Sequence, residues 1–259
     1  MKKFDIVIIG AGSIGLPLSY YLSKKGISVA VVEQHASPGR GQNRAAIGGI
    51  RATHSDPAKI KIGQMSLDIV RNMKQENGID IDWYQGGYLF PVYDLEHERA
   101  LKKLLEIQHG FGLNINWIDD EMVEDLAPGI TSFGLRGGTY SPEDGYLSPL
   151  KTAGAFYKLS REAGTQFFFY ETVLSVEKEG EKVISIKTDK DVYTADTFIN
   201  ASGGNARKIG KMIDADIPVF PDSHEAGITE PVKLFMKPMI VDIRAESRSH
   251  NYYFYPQFL

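Results

Sequence analysis

The reading turns on Phe4-Asp5-Ile6-Val7-Ile8-Ile9-Gly10-Ala11-Gly12-Ser13-Ile14-Gly15. Its first six residues are apolar and mostly β-branched apart from Asp5, as suits a strand buried on both faces. Three glycines then close a tight turn, and an apolar-periodic run to Lys25 makes a helix. Gly26 stands where a helix C-cap belongs, and Ser28 to Val32 forms a second short strand ending at Glu33. The unit reads as β-α-β with a parallel strand pair. The whole context of a dinucleotide fingerprint is present: a strand before the glycines, a helix after them, and an acid about 20 residues on. Gly10 permits the sharp turn, Gly12 lets backbone N–H groups approach a pyrophosphate at the helix N-terminus, and Gly15 lets helix and strand pack closely. Glu33 would accept hydrogen bonds from a ribose diol and repel a 2′-phosphate, which disfavours NADP.

Outward from this unit, residues 34–49 are glycine, small and polar without period, a loop of the length that usually serves function. A helix is expected over Pro57 to Asn77, with Pro57 in its first turn. Tyr84 to Tyr93 reads as a strand, Leu95 to His109 as an amphipathic helix and Leu135 to Tyr140 as another strand, which interrupts the α/β pattern. From Leu147 the pattern resumes: a helix to Ala163, a strand over Gln166 to Phe169, and a polar hairpin from Val173 to Tyr193. A strand over Thr197 to Asn200 then runs into Ala201-Ser202-Gly203-Gly204. Two further strands, Ile240 to Arg244 and Asn251 to Tyr255, follow.

The chain has 259 residues, with 33 acidic side chains against 29 basic ones and no long basic run, so a nucleic-acid or anionic-membrane surface is not indicated. It has no cysteine, which removes disulfides, thiolate zinc sites, iron–sulfur ligation and cysteine nucleophiles together. Met1-Lys2-Lys3 before an apolar stretch resembles a secretory signal, but Asp5 interrupts the run and Gly10 and Gly12 end it without a cleavage site. A cytoplasmic protein without a membrane span is expected.

Nicotinamide and flavin cofactors both present an ADP moiety to such a fingerprint. A nicotinamide dehydrogenase would continue directly into further β-α units, whereas here a long loop and an inserted sheet come first. That favours FAD.

Together these residues resemble the FAD-dependent amino acid and amine oxidoreductases, the family of D-amino acid oxidase, glycine oxidase, the sarcosine oxidase beta subunit and dye-linked proline dehydrogenase. The resemblance is carried by the opening stretch, Gly48-Gly49-Ile50-Arg51, Asp144-Gly145 before Pro149, Asn200-Ala201-Ser202-Gly203-Gly204 and Thr229-Glu230-Pro231, in that order along nearly the whole chain. It implies an α/β fold: a Rossmann-like FAD-binding domain over 1–82 and 140–218, with an inserted antiparallel substrate domain over 83–139 and 219–259. It also implies oxidation of a C–N bond of an amino acid or secondary amine to an imine, by hydride transfer to flavin.

Around the cofactor the resemblance places Gly10, Gly12, Ser13, Ile14 and Gly15, then Glu33 and Gln34. It adds the loop residues Arg40, Gly41, Gln42, Asn43, Arg44, Ala45, Gly48 and Gly49, with Val173 against adenine and Ala201, Ser202 and Gly203 beside the dinucleotide. Some family members attach flavin through a His or Cys; none lies between Gly41 and Gly49, so noncovalent FAD is expected.

Four residues are candidates for the chemistry. Arg51 follows a glycine-rich loop of the cofactor kind, and its guanidinium suits a substrate carboxylate or negative charge on the reduced flavin; the alternative is a surface arginine bound to carbonyls. Tyr253 and Tyr255 share a strand face in a segment similar to one whose tyrosines face flavin, although core packing explains aromatic strands equally well. His224 could take a proton, but an exposed or capping histidine is the simpler reading. Asp119-Asp120-Glu121 suits a helix first turn better than a carboxylate site. The six histidines are too scattered for a metal site, and His54-x-Asp56 alone is weak.

The chain is shorter than the usual family member, so the substrate domain is expected to be incomplete. A fragment, a split enzyme completed by a second subunit, and a noncatalytic flavin-binding subunit all fit that expectation. A nicotinamide-dependent dehydrogenase is the remaining alternative.

Overall fold

The computed structural model describes residues 1–244 and 251–256. The chain opens with β1 (Lys2–Ile9), the glycine turn, α1 (Gly15–Ser23) and β2 (Val29–Glu33), and β2 is buried at every position. After the loop come β3 (Gly49–Ile50) and α2 (Pro57–Asn77). The Asp56 carboxylate caps α2 by accepting the Lys59 N–H at 2.9 Å, Pro57 fills its first turn, and Gly78 at φ 67° ends it. Next are β4 (Tyr88–Val92), α3 (Leu95–Gly110), β5 (Asn116–Ile118), α4 (Asp120–Leu126), β6 (Gly137–Ser141) and β7 (Gly145–Tyr146). Then follow α5 (Pro149–Glu162), β8 (Gln166–Phe169), β9 (Val173–Glu179), β10 (Lys182–Thr188) and β11 (Val192–Asn200). The last elements are α6 (Ala206–Lys211), β12 (Met239–Asp242) and β13 (Tyr252–Phe254).

Two strands differ from expectation. The one expected from Tyr84 begins only at Tyr88, because Gly87 takes φ 86°, where a Cβ would lie 2.5 Å from the Tyr140 ring. Tyr84 keeps a single bridge to Tyr146. The hairpin end at Tyr193 and the strand at Thr197 are one strand, β11, held parallel to β1 from Tyr193 to Asn200. The polar residues Thr194 and Asp196 hid that continuity, since they alternate with Tyr193 and Ala195, which are buried.

The larger sheet has the order β8-β2-β1-β11-β10-β9, and its first four strands are parallel. Their carboxyl ends therefore lie along one edge, the place where open α/β sheets bind ligands. Val7, Ile9, Ala30, Val32, Ile186 and Tyr193 fill the core on this sheet. The second sheet has the order β13-β12-β4-β6-β5. It is mixed rather than antiparallel throughout, because β12 returns from far downstream and joins β4 in parallel, Met239 opposite Tyr88. Alternation along its strands gives two cores, with Leu89, Val123 and Ile240 on one face and Tyr88, Phe90, Met239 and Val241 on the other.

The chain divides into two compact units, Met1–Ala46 with Pro149–Ala226, and Ile47–Ser148 with Gly227–Leu259. The boundary expected at residue 82 thus falls at 46, and those at 140 and 218 shift to 148 and 226. The physical reason is that β3 pairs with β7, and Ala52 and Thr53 bond the buried Asp144, which ties residues 47–56 to the second unit. Among the described residues no helix is long and apolar enough to cross a membrane.

Candidate functional site

In the first unit the glycine turn separates two demands. At Gly10, φ 109°, a Cβ would stand 2.5 Å from the Ala201 carbonyl oxygen, and at Gly15 it would stand 2.0 Å from the Gly10 carbonyl oxygen. Both glycines answer to the chain's own packing. At Gly12 a Cβ would meet only Asn43 Oδ1, at an ordinary 3.5 Å. Among the described residues nothing requires glycine there, and the space above the helix N-terminus stays open.

Glu33 is buried and binds two backbone donors, Ala11 N–H to Oε2 at 2.8 Å and His35 N–H to Oε1 at 2.9 Å. It fixes the glycine turn to the end of β2, and each oxygen keeps a second lone pair for a ribose hydroxyl. Gln34 beside it is exposed. The following loop folds back through Gly39 N–H to Ala11 O at 2.9 Å, and Asn43 Oδ1 accepts the Ser13 N–H at 3.1 Å. Ile14, Arg40, Gly41, Gln42, Arg44 and Ala45 are all exposed around it. On the other side of β1, Ala201 N–H donates to Ile9 O at 3.0 Å, and Ser202 binds Asn200 Oδ1 through its hydroxyl at 2.6 Å, ahead of Gly203 at φ 56°. Val173 follows Glu171, whose N–H donates to Glu33 O at 3.0 Å, so it too stands by the end of β2. The expected residues of this unit therefore converge on one sheet edge, with a helix start that no N-cap side chain closes and a buried acid beside it. That set fits the ADP part of FAD.

In the second unit Gly48 O accepts the Leu147 N–H at 3.0 Å, and Gly49 packs so tightly that a Cβ would lie 1.9 Å from the Tyr88 hydroxyl. Arg51 is half-buried, donates to the Thr53 carbonyl and lies over two rings of β4, 5.4 Å from the Phe90 centroid and 6.0 Å from that of Tyr88. Burial pushes its guanidinium down from the usual value, opposed by Tyr88 and Asp144, yet arginine stays charged. No carboxylate pairs with it directly among the described residues. Tyr255 is half-buried with its ring 4.7 Å from that of Tyr146, and Tyr253 lies opposite Val241 on the edge strand β13, 44% exposed. Arg51, Tyr253 and Tyr255 thus belong to one aromatic sheet face. His224 does not share it, lying in exposed coil of the first unit.

Two residues absent from the expected site stand out. Asp144 is 1% exposed; its Oδ1 accepts the Ala52 N–H at 2.9 Å and its Oδ2 the Thr53 hydroxyl at 2.7 Å. Burial raises its pKa, against the hydrogen bonds from Ala52, Thr53 and Ser141 and the charge of Arg51. Between the ordinary carboxylate range and that raised value the folded chain holds a proton that the unfolded chain has released, so stability falls as pH rises through the window. Asp144→Asn lacks this slope. Melting temperatures measured from about pH 4 to about pH 8 are expected to shift in favour of the variant as pH rises; parallel curves would contradict it. Tyr88, the second residue, was signalled only by its alternation with Phe90.

The acidic run caps a helix as expected, Asp119 accepting the Met122 N–H at 2.9 Å. Asp56 is occupied as the cap of α2, and among the described residues no group of three His, Asp, Glu or Cys is placed to hold a metal.

Comparison with known proteins matches residues 5–258 to the family model described as FAD dependent oxidoreductase. The chain is 27% identical over 236 residues to sarcosine oxidase subunit beta of an Arthrobacter species, covering 88% of this chain and 58% of that protein. It is 24% identical over 218 residues to 4-methylaminobutanoate oxidase (formaldehyde-forming) of Paenarthrobacter nicotinovorans, covering 84% of this chain and 26% of that one. The crystal structure of L-proline dehydrogenase from P. horikoshii superposes with a TM-score of 0.88 at 29% identity, over 93% of this chain and 64% of the other. The chain therefore spans less than two thirds of the length of these relatives. With its Rossmann-like sheet, its open glycine cradle and a family match running almost from end to end, the chain belongs to the FAD-dependent oxidoreductase family.

Proposed function

We propose that the chain binds FAD noncovalently through its first unit and oxidises the C–N bond of a small amino acid or secondary amine to an imine. The observation that carries the reading is the space at Gly12, unneeded by the protein's own packing, at the start of a helix beside a buried acid. Bound flavin supplies a two-electron acceptor for the substrate carbon's hydrogen. The chain's own residues bind and orient. Gly12 and the N-terminus of α1 take the pyrophosphate, Glu33 the ribose, and the segment from Arg40 to Ala45 lies along the dinucleotide.

Arg51 takes the substrate carboxylate. It is charged, has no ion-pair partner of its own among the described residues, and is held over aromatic rings that keep it directional. His224, in exposed coil, is left without a role in this reading. A second reading, a flavin-binding subunit that works only with a partner chain, is favoured by one relative being by name a subunit.

Anaerobic addition of glycine, sarcosine, L-proline and D-amino acids to the purified protein separates the two. Flavin colour that bleaches with one of them supports the first reading, and Arg51→Gln is expected to raise the concentration needed for half-bleaching about a hundredfold, the worth of a bidentate charged contact. Colour that never bleaches points to the partner-dependent reading, and an Arg51→Gln protein that responds like wild type removes Arg51 from the site.

A further inference from the structure

Asp144 is buried immediately before β7, where Gly145 pairs with Ile50, so its carboxylate comes beside the chain that follows β3. Its Oδ1 accepts the Ala52 N–H, which belongs to the peptide bond made by the Arg51 carbonyl. Its Oδ2 accepts the Thr53 hydroxyl, and the Thr53 carbonyl in turn accepts from the Arg51 guanidinium. One carboxylate thus holds Arg51 at both ends: the backbone just after it and the residue that anchors its side chain. Asp144 is fixed as well, since its carbonyl accepts the Gly87 N–H at 2.9 Å. From the other side α2 closes on the same peptide. A Cβ at Gly63 would lie 2.8 Å from the Arg51 carbonyl oxygen and 2.7 Å from the Ala52 Cα, so the segment has no slack. Burying a carboxylate costs free energy that an apolar side chain of similar size would not. What the acid adds here is direction, given to residues 51–53.

An arginine has much rotamer freedom, and an anion that binds it bears the cost of ordering unless the protein has already met it. We propose that Asp144 is a positioning residue, which acts through Ala52 and Thr53 to fix the direction in which Arg51 presents its guanidinium. Asp144 itself touches no ligand in this account. The inference deepens, and rests on, the carboxylate reading of Arg51 given above.

Exchanging Asp144 itself endangers the fold, so the test acts on Thr53, its link to the guanidinium. Wild type, Thr53→Val, Thr53→Ser, Arg51→Gln and the double variant Thr53→Val with Arg51→Gln are compared as full-length, FAD-loaded protein. Benzoate and its neutral counterpart benzamide are the probes in calorimetric titration. Thr53→Val is expected to weaken benzoate about tenfold, the worth of one hydrogen bond to a charged group, and to leave benzamide level. Thr53→Ser keeps the hydroxyl and should bind benzoate as wild type does. In the Arg51→Gln background Thr53→Val should make no further difference, because a residue that acts through Arg51 then has nothing to position. The same loss in that background overturns the inference, and so does Thr53→Val affinity equal to wild type. It is equally overturned by Thr53→Ser as weak as Thr53→Val, or by a Thr53→Val protein that weakens both probes alike or no longer retains flavin. If Arg51→Gln binds benzoate as well as wild type does, the Arg51 reading itself fails. Wild-type protein that binds no benzoate refutes both.

Discussion

Gly12→Asp is expected to abolish FAD binding while moving the melting temperature of the flavin-free protein by no more than about 2 °C. The fold should tolerate the change because Gly12 is not among the residues at positive φ, and a Cβ there meets only Asn43 Oδ1 at 3.5 Å. The ligand should not, because the new carboxylate enters the space left for a pyrophosphate. One like-charge pair at about 4 Å and an effective dielectric near 20 costs about 4 kcal/mol, close to a thousandfold in affinity. Flavin absorbance per chain reads the first effect and thermal unfolding of the apoprotein reads the second. Unchanged flavin content would refute the assignment of this turn.

Gly15→Val should fail in the opposite way, by destabilising the fold. Its Cβ would lie 2.0 Å from the Gly10 carbonyl oxygen and 3.2 Å from its carbon, and both atoms are backbone in a turn pinned by Gly10 N–H to Val32 O at 2.9 Å. Neither can move without disturbing the parallel pairing of β1 and β2. Overpacking of this kind costs about 3 kcal/mol, which for a chain of this size lowers the melting temperature by about 10 °C. Two glycines three positions apart in one motif are therefore separable, one serving the ligand and the other the protein. A Gly15→Val protein that melts with wild type would show that the turn relaxes more freely than its contacts allow.

That separation also marks how far the sequence could be read. The strand, turn, helix and second strand followed from composition and spacing, as did α2, since Asp56, Pro57 and Gly78 are local signals that act within a few residues. The set at the sheet edge was legible for the same reason: once β1 and β2 are parallel neighbours, the glycine turn and Glu33 must meet. What escaped depends on contacts between distant segments. The parallel joining of β12 to β4 leaves no local mark, and neither does the bond from Asp144 to Ala52, which assigns residues 47–56 to the second unit. Strand alternation puts Tyr88 and Phe90 on one face but says nothing of where the hydroxyl ends. That position is set by Gly49, a glycine whose necessity comes from a side chain far along the chain.

The most direct measurement is to denature the purified protein with heat, separate the polypeptide, and quantify FAD in the supernatant against chain concentration. Release of about one FAD per chain, with a colourless polypeptide left behind, is the result that a noncovalent cradle at Gly12 and Glu33 predicts. A protein that carries no flavin and takes none up from excess FAD, or one whose flavin stays with the denatured polypeptide, would contradict it.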